Sequence, residues 1–103
     1  MSESAFEVRR DDEGVLWLSG ELDLAVADAF VKRALANVDG QRELVLDCSE
    51  LTFLDSSGLR AMLALSSKAA GRTVVVRNPP QSVRKALEIA GISQLGLRVE
   101  AEG

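Results

Sequence analysis

Residues 44–59 read Leu-Val-Leu-Asp-Cys-Ser-Glu-Leu-Thr-Phe-Leu-Asp-Ser-Ser-Gly-Leu. The apolar run at 44–48, interrupted only by Asp47, predicts a short strand buried on both faces of a mostly parallel sheet. The stretch 59–70 has helical length and good helix formers, and it ends at Gly71, where a left-handed cap is expected. Between strand and helix lies a small, polar, acidic corner at 51–58. A strand followed directly by a helix is half of a βαβ unit, so the flanking sequence should supply parallel partners.

It does so in both directions. Downstream, Thr73, Val74, Val75 and Val76 form a β-branched strand signal that Asn78-Pro79-Pro80 breaks. Val83, Ala86, Leu87 and Ala90 then mark an amphipathic helix stopped by Gly91, and Leu97 to Glu100 adds a last short strand. Upstream, Ala27, Val31, Ala34, Leu35 and Val38 are spaced for one helix face over 24–38, with Asp39-Gly40 as the stop. Before it, Phe6 and Val8 alternate with Glu7 and Arg9. A polar turn at 10–14 follows, and then Val15-Leu16-Trp17-Leu18, closed by Ser19-Gly20, which reads as a β-hairpin. The order β-β-α-β-α-β-α-β predicts an α/β fold: a single mixed sheet opened by an antiparallel hairpin, with helices covering it and right-handed crossovers. At 103 residues, with no repeat or linker, the chain is expected to be one domain over 1–103, its last residues frayed.

Composition narrows the chemistry. There is no histidine, which removes Ser/His/Asp and Cys/His catalysis and zinc sites built on imidazole. No catalytic, cofactor-binding or metal-ligating set is expected. The one cysteine, Cys48, sits in an apolar run and reads as a buried small hydrophobe. A net charge of −4 with no basic run argues against direct nucleic-acid binding. The N-terminal MSESAFEVRRDDEG lacks a signal-peptide pattern, and no apolar stretch approaches membrane-spanning length, so a cytoplasmic location without membrane insertion is expected.

Two acidic corners remain to be explained. In the first, Asp55 or Ser56 is a preferred N-cap and Gly58 eases the turn. A nucleophile elbow does not fit, because the G-x-S-x-G spacing and a histidine base are both missing. In the second, Ser19-Gly20-Glu21-Leu22-Asp23, Asp23 is a candidate N-cap for the helix that begins at Leu24. If the hairpin's second strand lies beside the strand at 44–48, both corners emerge on the C-terminal rim of the sheet, and Asp23, Asp55 and Ser56 become neighbours. Leu59, Met62, Leu63 and Leu65 offer more apolar surface than one buried face needs, and Arg60 is the expected exposed contact of the first helical turn.

The motifs GELD at 20–23 and FLDSSGL at 53–59, with the Gly-Ile-Ser stretch at 91–93, resemble those of a STAS domain of the bacterial anti-sigma factor antagonist type. The similarity covers nearly the whole chain. It implies a partner switch: an anti-sigma factor antagonist, not an enzyme, that binds an anti-sigma factor serine kinase and frees a sigma factor. Phosphorylation of a loop serine by that kinase switches it off, and a serine phosphatase restores it. The family's modified serine maps onto Ser56, with Ser57 as the second candidate, and its first-motif acid maps onto Asp23. Glu21, Asp23, Asp55, Ser56, Ser57, Gly58, Leu59 and Arg60 form the expected partner-binding set. The family pattern usually continues with a helix after the last strand, and this chain stops at Ala101-Glu102-Gly103. The alternative implied is a STAS subunit regulating the ATPase of an ABC-type lipid transport system. Nucleotide binding by the domain itself has poor support, since neither a P-loop nor G-x-G-x-x-G is present.

Overall fold

The computed structural model describes residues 6–38, 42–69, 71–91 and 96–100. Five strands, β1 (Glu7–Arg10), β2 (Leu16–Leu22), β3 (Glu43–Leu54), β4 (Thr73–Arg77) and β5 (Leu97–Glu100), form one sheet in the order 1-2-3-4-5. β1 and β2 pair antiparallel, and every later neighbour is parallel. The connections are α1 (Leu24–Ala36), α2 (Ser56–Lys68) and α3 (Gln81–Ile89). The expected order and mixed sheet are what the chain adopts. No helix follows β5 among the described residues. The expected stop at Asp39-Gly40, the residues beyond Gly91 in the Gly-Ile-Ser stretch, and the last three residues lie outside the described residues.

Alternate residues of the parallel strands, Leu44, Leu46, Val74, Val76 and Leu97, join one apolar cluster with buried residues of α1, α2 and α3. The helices therefore cover one face. The strand at 44–48 is nonetheless buried on both faces as expected, with Asp47 buried and Val45 half-buried on the side that no helix covers. The other face carries Asp47, Arg77 and Trp17, held by polar contacts. Asp47, 1 % exposed, accepts hydrogen bonds from the Ser49 hydroxyl at 2.7 Å and from Arg77 Nε at 2.9 Å. Arg9 and Arg77 each stack on the Trp17 ring, at 5.6 and 5.5 Å from its centroid. The hairpin turn is organised by Asp11, whose carboxylate accepts from the Val15 amide and from Trp17 Nε1.

Three local readings change. β3 runs to Leu54, so 51–54 is strand and not corner. α2 starts at Ser56, three residues before the expected Leu59. In α1 the fully buried aromatic is Phe30, edge-on to Phe6 at 6.0 Å, while Val31 and Leu35 are half-buried. The expected left-handed residue after α2 is Gly71, at φ +84. Cys48 is buried as expected, and that burial, with the nearby Asp47 charge, pushes its thiol pKa up to about 12.

Candidate functional site

Parallel pairing places Leu22 of β2 opposite Leu54 of β3. The next residue on each strand is an aspartate, and each begins a helix. Asp23 caps α1, accepting from the Ala25 amide at 3.1 Å. Asp55 caps α2, accepting from the Gly58 amide at 2.9 Å. Both caps have extended backbone, and each carboxylate satisfies an amide that has no partner within its own helix. The two corners are tied together: the Asp55 amide donates to Leu22 O at 3.4 Å, and the Thr52 hydroxyl donates to Gly20 O at 3.1 Å.

Gly58 explains how close the corners come. A Cβ built there would stand 2.7 Å from Leu54 Cδ1 and 2.9 Å from Leu22 Cγ, and would also strike the Leu22 carbonyl oxygen. The first turn of α2 therefore lies directly on the end of β2, at a distance that a side chain would not permit. Gly58 is buried and takes a packing role within the expected set.

The remaining members sort by exposure. Ser56, the first residue of α2, is exposed, as are Glu21 and Arg60; Asp23, Asp55, Ser57 and Leu59 are half-buried. Leu59 packs against the core, and Met62 and Leu65 are fully buried, so α2 gives its larger apolar residues mostly to the interior. The surplus apolar surface lies elsewhere. Leu24, just past the Asp23 cap, is 76 % exposed, and Phe53, register partner of Glu21, is 48 % exposed. Neither is marked as a surface residue by the sequence pattern, in which Leu24 is the first residue of a helix and Phe53 a motif residue. The signal available for Leu24 was its alignment with Val31 and Leu35, 7 and 11 residues on, which sets it to one side of the Ala27, Phe30 and Ala34 stripe that the core takes.

The rim thus presents an exposed serine, Ser56, next to the Asp55 that caps α2 and on the same sheet end as the Asp23 that caps α1. At the first turn of α2, an added phosphate would meet the positive end of the helix dipole. Among the described residues no group of three His, Cys, Asp or Glu side chains could hold a metal ion, and no helix is long and apolar enough to cross a membrane.

The family model described as "Mlab, STAS domain" matches residues 6–99. Among solved structures, an anti-sigma factor antagonist from Mycobacterium paratuberculosis is 31% identical, with a TM-score of 0.66, over 93% of this chain and 86% of that one. The anti-sigma factor antagonist SpoIIAA in its unphosphorylated form is 22% identical, with a TM-score of 0.68, over 92% of this chain and 87% of that one. The chain belongs to the STAS-domain family.

Proposed function

We propose that this STAS domain is an anti-sigma factor antagonist: unphosphorylated, it binds a cytoplasmic anti-sigma serine kinase and so frees a sigma factor. Phosphorylation of Ser56 by that kinase ends the interaction, and a serine phosphatase restores it. The observation that carries this reading is the exposed Ser56 at the start of α2, on the same rim as Asp23 and Asp55. The 31% identical relative, itself described as an anti-sigma factor antagonist, supports the class of function.

Magnitudes decide how such a switch would work. A phosphoserine adds about −1.5 to −2 charges. Within its own domain it gains about 0.3–1 kcal/mol from the helix end and loses a comparable amount to neighbouring Asp55, so the fold is little changed. Across an interface, a dianion about 6 Å from a partner carboxylate is repelled by about 1–5 kcal/mol, and desolvation adds to this. At about 1.4 kcal/mol per decade, binding weakens by about ten to several thousand-fold. The phosphate is a release signal and not an unfolding signal.

Incubation with a cognate anti-sigma kinase and ATP should add one phosphate to the wild type and none to Ser56→Ala, read by intact mass. A pull-down that recovers a transporter ATPase and no serine kinase would favour the ABC-type lipid transport role instead.

A further inference from the structure

On the helix-free sheet face, Arg98 pairs with Glu43 and Glu100, and Arg77 with Asp47. The helical side differs. A groove of about 520 Å³ runs between α1 and α2, its floor kept low by Ala27, Ala61 and Ala64. Lys32, Arg60 and Lys68 line it against one carboxylate, Asp28, and none of the three cations forms an ion pair among the described residues. On a chain of net charge −4 this is a local cationic strip along an apolar floor. From Leu24 to Leu35 it extends about 16 Å, or three helical turns.

We propose that this groove takes an amphipathic helix of a partner protein, its apolar stripe flanked by carboxylates. Its length matches about three turns of a helix lying along α1, with the 76 % exposed Leu24 as an anchor at the rim end. Carboxylates on the incoming helix meet Lys32, Arg60 and Lys68, which fixes its placement and speeds its approach. Ser57 and Arg60 line the groove close to Ser56, so a phosphate on Ser56 stands beside the path of an acidic segment. This last link rests on the partner-switch reading above, and it gives the release a specific cause: like charges meeting at the groove mouth.

The test is an NMR titration of the labelled full chain with two synthetic peptides of about 14 residues, long enough to fill the groove. Both carry leucines at helical spacing; one is flanked by glutamates and the other by lysines. The glutamate peptide is expected to shift amides around Leu24, Val31 and Ala64. Lys32→Glu combined with Lys68→Glu, both at exposed positions, should weaken its binding about tenfold. Circular dichroism of that variant checks its fold. Equal responses to the two peptides, shifts centred elsewhere, or unchanged affinity in a folded double variant would overturn the inference. Ser56→Asp separates the two readings. Groove binding that survives this change keeps the groove and removes its link to Ser56, whereas a Ser56-dependent kinase interaction without peptide binding keeps the switch and overturns the groove.

Discussion

Asp23 and Asp55 occupy equivalent places on adjacent parallel strands, each one residue beyond the Leu22 and Leu54 pair and each capping the helix that follows. That equivalence brings two motifs 30 residues apart onto one rim, and it gives both carboxylates a structural task beside any role in recognition. Separating the two roles requires substitutions that remove one and leave the other.

The close approach at Gly58 yields the sharpest stability prediction. On propensity alone, Gly58→Ala should favour α2 by about 1 kcal/mol. Because the new Cβ meets the Leu22 backbone carbonyl, which cannot swing away, the variant is instead expected to be about 2–3 kcal/mol less stable in urea unfolding. A neutral or stabilising result would show that α2 can lift off β2 freely.

Asp47→Ala removes the carboxylate that holds Arg77, Ser49 and Asn78. Breaking a fully buried pair costs about 3–5 kcal/mol, and the Arg77 side chain, 28% exposed, recovers part of its hydration, so a loss of about 2–3 kcal/mol is expected. The measurement is the shift in urea midpoint at constant slope.

Acid should act through the same network. Burial pushes the Asp47 pKa up, but the bonds from Ser49 and Arg77 outweigh this and hold it below its ordinary value of 3.8. The hydrogen bond from Trp17 leads the effects that hold Asp11 below 3.8 as well. For a carboxylate lowered in the folded state, the stabilisation is present above the unfolded value and is lost as pH falls through the folded one. Urea midpoints are thus expected to hold from neutral pH to about 5 and to fall below about 4, with a shallower acid decline in Asp47→Ala.

Cys48 should be inert in the native protein. With its thiol buried and its pKa near 12, it should not react measurably with a thiol reagent at pH 8, and should react fully once urea unfolds the chain. Rapid native reaction would mean that the sheet opens locally at β3.

Element order was legible because each strand and helix carries its own period, and the two corners because GELD ends in a cap residue, Asp23, and FLDSSGL contains one, Asp55. The upper half of β3 was not legible. Trp17 faces Asp47 but Ser19 faces Glu50, and Gly20 faces Leu51 but Glu21 faces Phe53, so β3 holds two extra residues that break the alternation marking a strand. The start of α2 was misplaced because its apolar residues begin at Leu59, whereas the cap signal sits at Asp55. The groove was hidden for a related reason. α1 has a core stripe at Ala27, Phe30 and Ala34 and a second at Leu24, Val31 and Leu35, and a linear reading merged them.

The most direct test of the account compares Ser56-phosphorylated and unphosphorylated protein for affinity to an anti-sigma serine kinase by calorimetry, with melting temperatures recorded on the same samples. The account predicts at least about tenfold weaker binding on phosphorylation, with the melting temperature changed by no more than about 4 °C. Equal affinity, or weaker binding accompanied by a collapse in melting temperature, would contradict it.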